Sequence, residues 1–113
     1  MKSIGDAGED RAVEYLQQHK LKIVERNWSG DGGEIDIIAR YKKQIHFVEV
    51  KVRKNSMNEA WLAVSPTKQR RLQRTAQQWI QQHGQDKWSY QFDVIAISGQ
   101  TLEHRQNVVE AST

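Results

Sequence analysis

The chain has 113 residues, enough for one domain with a single modest core and too few for two. It contains no cysteine, which excludes disulfides, thiol catalysis and Cys-based zinc sites. The net charge is only +3, and no apolar run reaches the roughly 18 residues of a membrane helix. We therefore expect one cytoplasmic domain over residues 1–113, without a signal peptide or a membrane segment.

Three elements are predicted before residue 34. Residues 5–19 repeat apolar side chains at helical spacing, with Ala12 and Leu16 on one face, and predict a helix. Residues 21–28 predict a short strand. The run Ser-Gly-Asp-Gly-Gly over residues 29–33 is typical of a turn.

The central segment predicts a β-hairpin. Residues 34–40 and 45–52 each alternate apolar and polar side chains, as half-buried strands do, and residues 41–44 form a loop of ordinary hairpin length.

The remaining predicted elements are an irregular connection, a helix, a strand and a weaker strand, over residues 53–65, 66–83, 92–97 and 102–109. Trp61 and Leu62 are the expected apolar anchors of the connection, Pro66 opens the helix and Gly84 ends it. The element order is therefore αβββαβ, with an optional trailing strand.

The hairpin predicts its own register. If the hairpin is symmetric about its loop, residues whose numbers sum to 85 lie opposite each other. This register pairs Ile37 with Val48 and Ile35 with Val50 on the core side. A slip by one residue would mix charged side chains into that side, so the slip is disfavoured.

The other face of the hairpin predicts a metal site. The register places Asp36 opposite Glu49 and Glu34 opposite Lys51. Directly opposed like charges destabilise a sheet, whereas a dication such as Mg²⁺ is held by one or two carboxylates with water and phosphate. Lys51 shares the face of Glu49 and could orient an attacking water or balance phosphate charge. The alternative is a solvated face on which Glu34 and Lys51 form a weak ion pair.

A second charged feature lies in the stretch 60–85, which contains no acidic residue. Its cations are Lys68, Arg70, Arg71 and Arg74. Charge segregated in this way favours phosphates or another acidic partner, and the alternative is a solvated helix face. The four histidines show no paired metal-site spacing, and Asp93 is interpreted as a structural or edge-strand polar group.

These motifs resemble a known superfamily. Asp36 followed thirteen positions later by Glu49-Val50-Lys51 resembles the PD-(D/E)XK nucleases. Four segments more closely resemble the YraN-like family of small bacterial proteins: Gly5-Asp6-Ala7-Gly8-Glu9, Gly33-Glu34-Ile35-Asp36-Ile37-Ile38-Ala39, Phe47-Val48-Glu49-Val50-Lys51 and Phe92-Asp93-Val94. The resemblance covers nearly the whole chain. It implies a restriction-endonuclease-like α/β fold, related to Holliday-junction resolvases, with a mixed central sheet flanked by helices.

The resemblance also implies roles for individual residues. Asp36 and Glu49 match the metal-binding acids, and Lys51 matches the lysine thought to assist water activation. The carbonyl of Val50 matches a backbone position that often adds a metal ligand, and Glu9 resembles an acid that completes the site in resolvase-like members. Glu34 is a secondary candidate. The proline that often precedes the first acid is absent here.

The leading functional hypothesis is an endonuclease that uses Mg²⁺ or Mn²⁺ and acts on phosphodiester bonds of DNA, including branched or processed DNA. The alternatives are a catalytically silent nucleic-acid-binding module and an adaptor that docks a protein through its basic helix. DNA is favoured over RNA as the partner. The sequence is compatible with a homodimer, and resolvase-like relatives act as dimers.

Overall fold

The computed structural model describes residues 4–108, which form three helices and five strands. The helices are α1 (Ile4–Gln18), α2 (Met57–Leu62) and α3 (Pro66–His83). The strands are β1 (Lys22–Gly30), β2 (Gly33–Tyr41), β3 (Gln44–Val52), β4 (Ser89–Ser98) and β5 (Thr101–Arg105).

The five strands form one mixed sheet in the order β1-β2-β3-β4-β5. Strands β3 and β4 are parallel, and the other neighbours are antiparallel. On one face, Ala12 and Leu16 of α1 pack into a core of sheet residues, and on the other face α3 does so through Leu72, Ala76 and Trp79. The predicted fold class, a single α/β domain whose mixed sheet is flanked by helices, is confirmed and is consistent with a restriction-endonuclease-like fold.

The predicted hairpin register is confirmed near the turn. Five pairs whose numbers sum to 85 are formed, from Tyr41–Gln44 to Ile37–Val48. The connection is tighter than expected, since Lys42 and Lys43 alone form the turn, and Lys42 takes the left-handed conformation with φ of 53°.

Beyond that point the register prediction is wrong. The β2–β3 ladder ends at Ile37–Val48, so the expected pairs Ile35–Val50, Asp36–Glu49 and Glu34–Lys51 are not ladder partners. Ile35 packs into the core beneath α3, whereas Val50 packs against the core beneath α1. Successive side chains of β2 do not alternate strictly between the two faces of the sheet here, because the two strands separate around Asp36.

Two predicted irregular segments contain regular structure. Strands β1 and β2 extend into the predicted turn 29–33 and leave only Asp31 and Gly32 between them. The predicted connection 53–65 contains α2, whose N-terminus is capped by a 3.0 Å hydrogen bond from the Glu59 N–H to Oγ of Ser56. Leu62 is 73% exposed and therefore does not anchor this segment.

The remaining predicted elements are confirmed with small shifts. Helix α3 begins at Pro66, and Gly84 is its C-cap. The last strand ends at Arg105, and Val109, its predicted end, lies outside the described residues. Within residues 4–108 no helix is long and apolar enough to cross a membrane.

Candidate metal and phosphate site

The acids, the lysine and the backbone ligand predicted from the sequence meet at one cavity of about 380 Å³. Its lining is Glu9, Asp36, Glu49, Val50, Lys51, Val52 and Arg53. Helix α1 contributes the first of these, β2 the second, and the end of β3 most of the others. Helix α1 and the two strands of the hairpin therefore build this site.

Asp36 is positioned by the early end of the β2–β3 ladder. One residue beyond the last direct pair, Oδ2 of Asp36 accepts a 2.8 Å hydrogen bond from the backbone N–H of Val50. The side chain thus satisfies a backbone donor that β2 no longer reaches. This bond holds the carboxylate at the point where the strands separate.

The environment disfavours a negative charge on Asp36. Burial and the nearby charge of Glu49 raise the pKa of Asp36 to about 7, against the opposing effect of the Val50 N–H. A carboxylate in this position is stabilised in its ionised form by an additional positive charge.

Glu49 and Lys51 form an ion pair beside it. The Nζ atom of Lys51 lies 2.9 Å from Oε1 of Glu49, and the two side chains are 14% and 20% exposed. Burial alone would lower the pKa of Lys51, but the hydrogen bond and the charge of Glu49 outweigh it and raise this pKa above its ordinary value. The site therefore holds a fixed, protonated ammonium group.

Glu9 brings a carboxylate from the helical layer. Its side chain is 13% exposed, and within residues 4–108 its Oε1 atom has no hydrogen-bond partner. The contact from Oε1 to Nη2 of Arg26 is 3.6 Å, longer than a hydrogen bond. Burial raises the pKa of Glu9, and the charge of Arg26 opposes this. Arg26 therefore compensates this buried acceptor only in part, and a second cation in the cavity would stabilise it further.

This donor set fits a hard dication. Mg²⁺ and Mn²⁺ prefer oxygen ligands. A cation would compensate both the disfavoured charge of Asp36 and Oε1 of Glu9, which accepts no hydrogen bond within residues 4–108. In the described part of the chain, no group of three or more His, Asp or Glu side chains is arranged to hold a metal ion by itself. A dication here would therefore need oxygens from water and substrate, as Mg²⁺ sites commonly do.

Glu34, the secondary candidate, lies outside the cavity. It is exposed and opposes Ser29 of β1 in the ladder, not Lys51. The predicted Glu34–Lys51 pairing is wrong because the β2–β3 ladder ends before it reaches Glu34.

The four cations of α3 are exposed but form two groups. Arg74 lies one helical turn after both Arg70 and Arg71, so these three share one side of the helix. Lys68 lies beside Lys51, whose positive charge lowers the pKa of Lys68. Lys68 therefore belongs to the rim of the candidate site, and the three arginines form a separate surface.

We expect the arginine surface to contribute to DNA affinity without sequence preference. Changing Arg70, Arg71 and Arg74 together to Gln should weaken binding similarly for all sequences. The slope of log K against log salt should flatten by about 0.9 for each phosphate that is no longer neutralised. The exposed Gln77→Ala variant on the same helix serves as the control and should bind like wild type. An unchanged slope would mean that the arginines are solvated or face a protein.

A buried polar cluster was not predicted as a unit. Asp93 is fully buried, and its Oδ2 atom receives hydrogen bonds of 2.7 Å from Nδ1 of His46 and 2.8 Å from Nε2 of His104. The Nδ1 atom of His104 is hydrogen bonded to the hydroxyl of Tyr15 at 3.1 Å. The structural role expected for Asp93 is correct, but its strand is interior, between β3 and β5.

The sequence carries no local signal for this cluster. Its three bonds join residues 11, 47 and 89 positions apart on three strands and one helix, so only the completed sheet, with α1 packed upon it, brings all of them together.

The chain matches one family of known proteins over most of its length. Residues 8–97 match the sequence model described as "Uncharacterised protein family UPF0102". A UPF0102 protein of Geobacter metallireducens is 46% identical over 114 residues, covering 96% of this chain and 93% of the relative. A UPF0102 protein of Geobacter sulfurreducens is 39% identical, covering 96% and 90%. One of Photobacterium profundum is 44% identical, covering 84% and 78%.

Proposed function

The chain belongs to the UPF0102 (YraN-like) family, and from its cavity we propose that it is a metal-dependent phosphodiesterase acting on DNA in the cytoplasm. The observation that carries the proposal is the convergence of Asp36, Glu49 and Lys51 on one cavity in which the charge of Asp36 is disfavoured. A site maintained only for folding would gain stability from a neutral side chain at this position.

The acidic residues of the cavity are the proposed metal ligands. Asp36 and Glu49 would hold Mg²⁺ or Mn²⁺, with Glu9 and the carbonyl of Val50 as further oxygen donors. When bound, the dication supplies Lewis-acid polarisation of a phosphoryl oxygen.

Lys51 has three N–H donors, of which the pair with Glu49 uses one. The others can orient an attacking water and bind a phosphate oxygen. Lys68 on the rim adds a second cation for the phosphate.

A specific observation favours a second candidate, the catalytically silent nucleic-acid-binding module. Residues 4–108 contain no self-sufficient group of metal ligands, and Lys51 already neutralises Glu49. In this case the basic surfaces would bind DNA, and the residues of the cavity would not cleave it.

The two candidates are separated by incubating branched, nicked and single-stranded DNA with the protein and Mn²⁺. We expect wild type to cleave at least one substrate and Glu49→Ala to lose at least about a hundredfold in rate, because several kcal/mol of transition-state stabilisation are removed. Glu34→Ala is the matched control, since Glu34 lies on the same strand as Asp36 but is exposed and outside the cavity.

Binding without cleavage of any substrate would favour the silent module. Equal cleavage by wild type and Glu49→Ala would show that another protein or another site is responsible.

A further inference from the structure

A second cavity, of about 320 Å³, lies at the hairpin end of β2. It is lined by Lys20, Lys22, Arg40, Tyr41 and Lys42. Every charged residue of this lining is a cation, and these four positive charges exceed the net charge of +3 carried by the whole chain. Within residues 4–108 none of the four forms an ion pair with a carboxylate.

The sheet register makes this arrangement costly for folding. Lys22 of β1 and Arg40 of β2 are directly opposed in the antiparallel ladder. Like charges in that position destabilise a sheet, and Lys20 and Lys42 add further repulsion in the same cavity. An anion bound between them would remove the repulsion.

Two contacts fix the orientation of the Arg40 side chain. Its Nε atom donates a 2.6 Å hydrogen bond to the carbonyl of Lys42, and its guanidinium lies 4.8 Å from the ring centroid of Trp88. The two terminal nitrogens have no hydrogen-bond partner in the described part of the chain. A guanidinium fixed in this way presents the planar donor pair that matches phosphate oxygens.

This cavity is separate from the acidic one. Glu9 of the acidic cavity lies in the first half of α1, and Lys20 of the basic cavity lies two residues beyond its C-terminal end; the helix alone rises about 14 Å from Glu9 to Gln18 at 1.5 Å per residue. A single phosphate cannot reach both. A duplex, with a backbone charge every 3.4 Å along each strand, spans this distance in roughly four base pairs.

We propose that the cavity formed by Lys20, Lys22, Arg40 and Lys42 binds the phosphodiester backbone of a nucleic acid, at a position remote from the acidic cavity. The choice of nucleic acid as the source of the phosphates rests on the proposed function. The cavity holds the backbone by charge and is indifferent to base sequence.

The test measures binding of a fluorescent duplex of about 20 base pairs in EDTA, over a range of salt concentrations. The main variant changes Lys20, Lys22 and Lys42 together to Gln and keeps Arg40, whose interactions support the hairpin. We expect affinity at 100 mM salt to fall by at least about tenfold. The salt slope should flatten by about 0.9 for each phosphate that is no longer neutralised, hence by about 2.7 for three.

A matched pair of single variants controls for net charge. Lys22→Gln and Lys87→Gln each remove one positive charge, and Lys87 is exposed and outside the cavity. Only Lys22→Gln should weaken binding. Because it also removes the repulsion from Arg40, its melting temperature at low salt should be at least that of wild type, which separates impaired binding from impaired folding.

Inorganic phosphate is the third arm of the test. We compare millimolar phosphate with chloride at the same ionic strength. The two salts should have the same effect on the melting temperature and on the affinity for the duplex. Unchanged affinity and slope in the triple variant would overturn the proposal, as would specific binding of free phosphate that excludes the duplex. Since EDTA prevents metal-dependent cleavage, a failure of the nuclease proposal would leave this result intact.

Discussion

Changing Asp93 to Ala is expected to lower the free energy of unfolding by about 3 kcal/mol or more, because several hydrogen bonds to a buried, ionised carboxylate are lost. Asp93 is fully buried and accepts hydrogen bonds from His46, His104, Gln91 and the N–H of Asn107. The substitution leaves these donors without an acceptor. Because the site is buried, water does not easily take the place of the carboxylate.

The pKa of Asp93 gives this loss a pH dependence. Burial would raise that pKa, but the hydrogen bonds from His104, His46, Gln91 and Asn107 outweigh it and hold it well below the ordinary value of 3.8. A lowered folded-state pKa stabilises the fold above 3.8, and this stabilisation is lost as the pH falls through the folded-state value. The difference between wild type and Asp93→Ala should therefore be large at pH 7 and shrink below 3.8.

Urea unfolding at pH 7 and at acidic pH measures this difference. Asp86→Ala is the control, since Asp86 is exposed in the loop before β4, and its effect should stay within about 0.5 kcal/mol. A loss of less than about 1 kcal/mol in Asp93→Ala would mean that the cluster does not stabilise the fold as the geometry indicates.

Changing Asp36 to Asn is expected to stabilise the metal-free protein by about 1–3 kcal/mol at pH 8. Asn is nearly the same shape as Asp, and its Oδ1 atom can still accept the hydrogen bond from the Val50 N–H. What the substitution removes is a buried negative charge that lies near Glu49.

The sign of the pH dependence is opposite to that of Asp93. The pKa of Asp36 rises from 3.8 to about 7 on folding, so the folded chain retains a proton that the unfolded chain releases. Wild-type stability should fall as the pH rises from 3.8 through 7, whereas Asp36→Asn should lack this component. The two proteins should be about equally stable at pH 4.

Denaturant unfolding in EDTA at pH 4 and pH 8 tests this expectation. Glu34→Gln, a neutralised acid on the same strand but outside the cavity, should show no comparable gain at pH 8. If Asp36→Asn were less stable than wild type at both pH values, the ionised carboxylate would be stabilising the fold, and the electrostatic explanation of the cavity would be wrong.

Much of the fold follows from periodicity and turn chemistry. The register near the hairpin turn is predictable because Ile37 and Val48 must share a buried face, and a slip by one residue would bury charges. The bounds of α3 are equally predictable, since Pro66 suits the first turn of a helix and Gly84 suits its end.

The separation of β2 from β3 is not predictable in the same way. Alternation places Ile35 beside Val50, but Ile35 packs beneath α3, and the Asp36 carboxylate occupies the gap by binding the Val50 N–H. The face of the sheet on which Ile35 packs depends on the helices that cover the two faces. The hairpin sequence contains neither helix.

The predicted site residues do meet in space, but not through the predicted strand pairing. Asp36, Glu49 and Lys51 line one cavity, yet Asp36 and Glu49 are not ladder partners. Only the family resemblance predicts Glu9 as a site residue, because a lone glutamate on a helix carries no metal signal. The cluster around Asp93 and the basic cavity at Lys22 and Arg40 both depend on strand pairings that only the assembled sheet defines.

Binding of a divalent metal through Asp36 is the property on which the proposed function depends. Thermal melts of wild type and Asp36→Asn at pH 8, in EDTA and in Mn²⁺, measure it, because a ligand that binds only the folded state raises the melting temperature by mass action. We expect Mn²⁺ to raise the wild-type melting temperature by several degrees and Asp36→Asn to lose most of this shift. Equal shifts in the two proteins, or no shift in either, would show that Asp36 does not hold a metal.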